Sequence, residues 1–257
     1  MKVYAISDLH IDYEENRQWV YNLSQSEYKD DILVLAGDVT DEIPLIEKVF
    51  LFLKKCFREV LYVPGNHELW TFRNNGMNSL EKFELIKRLA KNSGIRIEPG
   101  EFGPLSVVPL FAWYDYSFGP PSDELKYQWT DYRACKWPDG FNEKKVTHYF
   151  ISLNESSLTC KNRFIISFSH FLPRVDLMPP YIPQSKRYLY PALGTHQLEL
   201  QIRQLNPQIH IYGHSHVNMN IKKDNITYIN NAFGYPHEKW TTSKQLLCVF
   251  PHDMGDL

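Results

Sequence analysis

Six short apolar runs punctuate the chain, at residues 3–6, 32–36, 60–63, 106–110, 164–168 and 209–212. They are rich in β-branched side chains and too short for helices, so each is expected as a buried strand. Helical spacing separates the first three. Residues 14–23 bring Trp19, Val20 and Leu23 to one face, and residues 43–57 bring Ile46, Phe50 and Leu53 together. A third helix is expected over 77–91, with Leu80, Phe83 and Leu89 inward. Strand, helix, strand in repetition predicts a mostly parallel sheet with helices on its faces.

Beyond residue 216 the pattern changes. Residues 217–221 alternate, 222–225 make a polar turn, and 226–229 and 246–250 follow as further apolar runs. These read as antiparallel strands. An α/β start with a β-rich finish predicts two sheets packed face to face with helices outside. No internal repeat or Gly/Ser tract divides the chain, so one domain over 1–257 is expected. Two stretches fit no sheet pattern: 111–141, crowded with aromatic residues around Pro120-Pro121, and 171–194, with five prolines and Ser185-Lys186-Arg187. Both read as long covers over something. Their aromatic residues are expected to form the covers' own small core rather than substrate contacts.

Composition narrows the function. Across 257 residues, 28 Lys and Arg stand against 30 Asp and Glu, a net charge of -2, so no global positive field gathers nucleic acid or anionic lipid. No apolar run reaches the length of a membrane span. Asp8 and His10 interrupt the opening residues, unlike a signal peptide. Four scattered cysteines without a CxxC point to a reduced, cytoplasmic protein.

The chemistry-bearing residues sit where the strands end. Residues 3–6 run into Ser7-Asp8-Leu9-His10, 32–36 into Gly37-Asp38, and 60–63 into Pro64-Gly65-Asn66-His67-Glu68. Residues 164–168 run into Ser169-His170, and 209–212 into Gly213-His214-Ser215-His216. In α/β sheets, ligands bind outside the carboxyl ends of the strands. Alternate residues of an extended segment share a side, so Asp8 with His10, and His214 with His216, can each meet one ion. Seven groups then make a pair of metal sites: Asp8, His10, Asp38, Asn66, His170, His214 and His216. None is a thiolate, which disfavours iron–sulfur or closed cysteine sites and suits manganese, iron or zinc. Asp38, central and with two oxygens, is the natural bridging carboxylate. Two divalent cations about 3.5–4 Å apart hold a shared hydroxide and clamp phosphoryl oxygens. One such dipeptide means little. All five, in order and each after a strand-like run, make the pattern specific.

The series D-x-H, G-D, G-N-H-[ED], H, G-H-x-H resembles that of the calcineurin-like metallophosphoesterases, and the match spans Asp8 to His216. The resemblance implies a four-layer α/β/β/α sandwich with a two-metal site at one edge of the sheets. It implies one metal on Asp8, His10, Asp38 and His216, and another on Asp38, Asn66, His170 and His214. It gives His67 the role of proton donor to the leaving oxygen or of transition-state stabiliser, and imidazole chemistry near neutral pH suits proton transfer. By analogy with the protein-phosphatase branch, Asp41 is expected to orient His67; the ordinary reading of Asp41 is a charge at a helix N-terminus. That branch next has a phosphate-clamping Arg, where this chain has Glu42, so close kinship with it is not expected. Among the replacement cations Arg73, Arg133, Arg174, Lys186 and Arg187, Arg174 is the first choice for substrate binding.

The expected function is metal-dependent hydrolysis of a phosphomonoester or phosphodiester, with a small phosphorylated substrate favoured and two divalent ions, manganese first. A catalytically silent interaction scaffold on the same fold is disfavoured by the complete ligand set. A nuclease or nucleotide phosphodiesterase is disfavoured by the lack of a basic excess.

Overall fold

The computed structural model describes residues 1–74 and 76–251. Strands β1 (Val3–Ile6), β2 (Ile32–Leu35) and β3 (Glu59–Tyr62) pair in parallel, with Ala5 opposite Val34 and Val34 opposite Leu61. Helices α1 (Glu14–Tyr21) and α2 (Ile43–Cys56) make the two crossovers. Helix α3 (Ser79–Asn92) follows β3 and starts at a capping box, in which the Asn78 side chain accepts from the Leu80 and Glu81 amides. Phe83, Ile86 and Ala90 form its buried stripe, with Leu80 and Leu89 only half-buried beside it.

A second sheet follows. Its strands are β4 (Gly100–Phe102), β5 (Leu105–Pro109), β6 (Phe164–Phe168), β7 (Ile209–Tyr212), β8 (Met219–Lys223) and β9 (Ile226–Asn230), in the order β4-β5-β6-β7-β9-β8. The last strand, β10 (Leu247–Phe250), leaves this sheet and closes the first one, antiparallel to β1. Four more α-helices lie among the described residues: α4 (Asp123–Gln128), α5 (Asp131–Ala134), α6 (Glu143–Ser152) and α7 (His196–Leu205).

Period-two alternation builds the layers. Val3, Ala5, Ile32 and Val34 point into the other sheet and meet Val107, Ile166, Phe168 and Ile211. Their neighbours Leu33, Leu35, Val60 and Tyr62 point the other way, onto Ile46, Phe50 and Ile86 of α2 and α3. Val108, Ile165 and Tyr228 carry Phe150 of α6 and Ile202 of α7 on the far side. The result is α/β/β/α. Full burial of a side chain such as Phe50 or Phe168 contributes about 1.5–3 kcal/mol.

The C-terminal strands pair antiparallel as expected, with one parallel pairing besides. β8 and β9 form a hairpin whose turn residues Asp224 and Asn225 take φ of 48° and 71°, but β9 lies parallel to β7. Nearly all of β9 is buried, so it must pair on both sides, and a hairpin alone cannot supply that. β4 escaped the pattern because Gly-Glu-Phe carries no alternation.

The covers do not make the separate core that their aromatic content suggested, but pack into the layer outside the second sheet, against Phe83, Val108 and Tyr228. Trp113 and Tyr114 from 111–141 join Leu177 and Leu193 from 171–194 in the α6–α7 layer, and Tyr188 Oη meets Gln128 Oε1 at 2.6 Å. Among the described residues no helix is long and apolar enough to cross a membrane.

Candidate metal centre and active site

The loops that leave β1, β2, β3, β6 and β7 meet at one edge of the two sheets. Asp8, His10, Asp38, His214 and His216 sit on backbone with φ of 55°, 42°, 55°, 69° and 50°. Side-chain-bearing residues adopt this left-handed region rarely, and here it turns successive side chains back toward a common point. Close approach of the loops needs Gly65, where a Cβ would overlap Asp38 Oδ1 and lie 2.7 Å from the His170 ring.

All seven side chains are brought together. His10 Nε2 lies 3.0 Å from His216 Nε2, and His170 Nε2 lies 3.0 Å from His214 Nδ1. Asp38 Oδ2 stands between the pairs, 4.0 Å from His10 Nε2 and 3.5 Å from His170 Nε2. Asp8 Oδ1 is 3.3 Å from His216 Nε2, and Asn66 Oδ1 is 3.2 Å from His170 Nε2. Ligand atoms of Asp8, His10 and His216, and of Asp38, His170 and His214, form two groups each within 4.8 Å.

The outer hydrogen bonds fix which nitrogen faces in. His170 Nδ1 donates to Ala36 O at 2.9 Å and His214 Nε2 donates to Ala192 O at 3.1 Å, since a carbonyl only accepts. Burial holds both imidazoles below their ordinary pKa, hence neutral. Two bare lone pairs therefore face each other at 3.0 Å. Burial likewise keeps His10 low. His216 is the exception: burial opposes its charge, but the Asp8 and Glu238 carboxylates outweigh that and raise it to about 9. Burial, then the nearby Glu68 and Asp8 carboxylates, push Asp38 well above the usual range. Burial also acts to raise Asp8, but its neighbouring imidazoles, His216 first, bring it below its ordinary value. Opposed lone pairs beside two buried carboxylates are a donor set fitted to cations.

A family model described as calcineurin-like phosphoesterase matches residues 1–218. The chain belongs to this family. As a metallophosphoesterase it is a hydrolase of phosphoester bonds, in a family that uses divalent metals. The [acyl-carrier-protein] phosphodiesterase PptH of Mycobacterium tuberculosis (strain ATCC 25618 / H37Rv) is 27% identical over 270 residues, 94% of this chain and 80% of PptH. The crystal structure of the phosphopantetheinyl hydrolase PptH from Mycobacterium tuberculosis has a similar fold, with a TM-score of 0.80 at 24% identity over 98% of this chain and 96% of that one. GAP50, the anchor in the inner membrane complex of Plasmodium, is more distant, with a TM-score of 0.50 at 11% identity over 90% and 70% of the two chains.

Several residues of this phosphoesterase site were not singled out from the sequence. Glu68, fully buried, accepts from the backbone N–H groups of Gly65 at 2.6 Å, Asp38 at 3.0 Å and Thr40 at 3.3 Å, tying the loops after β2 and β3 together. Burial raises it to about 7 against those donors. Its place in Gly65-Asn66-His67-Glu68 was its signal. Glu238 Oε2 accepts from His216 Nδ1 at 2.6 Å and from Tyr235 N at 2.8 Å. Asp131 accepts from Asn66 Nδ2 at 2.9 Å. Neither Glu238 nor Asp131 lies in a local motif.

His67 lies where two spaces meet. It lines both the metal cleft, about 280 Å³, and an adjoining groove of about 490 Å³ walled by Tyr13, Trp70, Phe72 and Tyr235. Its ring stacks on Trp70 at 3.6 Å, and its Nε2 is 3.8 Å from Asp38 Oδ2 and 3.5 Å from Tyr235 Oη. Burial, then the neighbouring imidazoles, hold its pKa down.

Two expectations are corrected. Asp41 does not orient His67: its carboxylate takes the Arg73 guanidinium, with Nε at 3.1 Å from Oδ2, and its carbonyl accepts from the buried Lys82 at 2.7 Å. Arg174 is not in the cleft. It is held by Asp224 at 2.6 Å, Asp176 at 2.9 Å and Glu199 at 3.4 Å, lining a separate depression with His196 and Arg203. Three carboxylates satisfy its fork and leave no face for a phosphate. Of the basic residues weighed, Arg73 lines the groove, itself paired with Asp41 and Glu42.

Proposed function

We propose that this phosphoesterase hydrolyses a phosphodiester at two divalent cations, manganese first. Asp8, His10, Asp38 and His216 would hold one, and Asp38, Asn66, His170 and His214 the other. The observation that carries the reading is the 3.0 Å approach of His170 Nε2 and His214 Nδ1, both stripped of protons by their outward hydrogen bonds, beside Asp38. Bound cations supply Lewis acidity toward the phosphoryl oxygens. The chain's own groups do the rest. His67 holds an N–H for the leaving oxygen at the mouth of the groove, and the Trp70 stack fixes its ring plane.

The groove takes the ester arm. Asp12 and Asp41 face Arg73 there, with Glu42 on the same guanidinium, so its walls suit an uncharged arm and repel a polynucleotide's phosphates. This disfavours the nuclease reading. The likeness to PptH along most of both chains supports a phosphopantetheinyl arm joined to a carrier protein, in place of the free small substrate expected from charge. Four free cysteines support a reducing, cytoplasmic setting.

The test is incubation of manganese-loaded protein with a phosphopantetheinylated acyl carrier protein, followed by mass spectrometry of the carrier. Loss of the arm is expected, as is faster turnover of bis(p-nitrophenyl) phosphate than of p-nitrophenyl phosphate. No metal-dependent turnover of any of the three would favour the scaffold instead, and turnover of the monoester alone would contradict the diester reading.

A further inference from the structure

We infer that Asp131, on the cover and not at any strand end, is the positioning residue that locks the Asn66 amide with its oxygen turned into the metal cleft. This rests on the metal reading proposed above. Asp131 is 2% exposed and its carboxylate gathers three N–H donors: Asn66 Nδ2 at 2.9 Å and Trp70 Nε1 at 2.6 Å on Oδ1, and Trp129 Nε1 at 2.7 Å on Oδ2.

An ionised carboxylate only accepts, so only the amide nitrogen of Asn66 can face it. The amide oxygen is then left 3.2 Å from His170 Nε2, on the side where His214 Nδ1 also points. Turned over, the amide would set oxygen against carboxylate and present to the cleft an NH2 with no lone pair for a cation. Free Asn side chains flip between these states; Asp131 removes the choice. Both tryptophan indoles are donors only, so an amide at position 131 would leave N–H facing N–H at one or more of the three contacts.

The same carboxylate reaches the other side of the site. Trp70, bonded to Oδ1, is the ring on which His67 stacks at 3.6 Å. One buried side chain on the 111–141 insertion thus orders a candidate ligand and the support of the neighbouring imidazole. The 111–141 cover, packed into the α6–α7 layer, has here a second role: it holds from outside the Asn66 side chain of one candidate metal position.

The experiment compares manganese binding to metal-free wild-type protein and to Asp131→Asn, by chelator competition, together with the visible spectrum of the cobalt-loaded forms. Two bound ions are expected for wild type. In Asp131→Asn one of the two is expected to bind about 10–100-fold more weakly, with an altered cobalt spectrum. A purely structural role would lower the melting temperature and leave both readouts unchanged. Asp131→Ser, smaller and without a misplaced amide, gives the same comparison if the Asn variant does not fold. Two ions held with wild-type affinity and an unchanged spectrum in the folded variant would overturn the inference alone. Wild-type protein that takes up no manganese or cobalt would overturn the metal reading, and the inference with it.

Discussion

Asp8, His10, Asp38, His214 and His216 account for five of the nine non-glycine residues with positive φ among those described. Each such residue costs about 1–2 kcal/mol relative to ordinary backbone. Strain concentrated on the candidate ligands is the mark of a site held open for chemistry. His67, by contrast, has ordinary helical surroundings, sits beside the cleft and reaches into the groove. His67→Asn is therefore expected to lower kcat about 10²–10⁴-fold while bound manganese, measured by elemental analysis, stays at the wild-type level. A matching loss of metal would make His67 a ligand and contradict its role as an N–H donor toward the leaving oxygen. The residues brought to the cleft were legible because each follows a strand within a few positions. Asp41 and Arg174 misled because most of their partners, Arg73 in one case and Glu199 and Asp224 besides the neighbouring Asp176 in the other, lie far away in sequence. Asp131, at the start of α5, and Glu238 were invisible because a lone carboxylate outside any strand-end motif has no local signature.

Buried runs with strand ends bearing polar residues made β1, β2, β3, β5, β6 and β7 readable. β9 was placed in the right stretch and its antiparallel pairing with β8 was legible, but its parallel pairing with β7 was not, because apolar content reports burial and not which neighbour supplies it. The β6–β7 pair also carries a polar element that its apolar pattern hides. His210 is fully buried, between the hydroxyls of Ser167 at 2.8 Å and Ser169 at 3.1 Å, and burial lowers its pKa from 6.5 to about 3. Between those two values the unfolded chain binds a proton that the folded chain refuses. This contribution to stability is thus complete above pH 6.5 and is lost as pH falls toward 3, by up to about 1.4 kcal/mol per pH unit. Urea unfolding at pH 7 and pH 5 is expected to show a smaller loss in His210→Gln than in wild type. Equal losses would mean that His210 is charged or exposed in the folded protein.

Neither sheet makes the site alone. The four-stranded sheet delivers Asp8, His10, Asp38 and Asn66, and the six-stranded sheet delivers His170, His214 and His216. Their seam is tied by the His214 amide, which donates to Asp8 Oδ1 at 3.0 Å, and by Ser7 bridging to Ala232. Cations there would add a further cross-link between two layers that meet through apolar contacts and these few hydrogen bonds. Such a cross-link is seen most directly by anomalous diffraction at the manganese edge from crystals grown with manganese. Two peaks flanking the Asp38 carboxylate, one toward His10 and His216 and one toward His170 and His214, are the predicted result. No peak beside Asp38, or a peak only at the Asp12, Asp41 and Glu42 carboxylates, would contradict it.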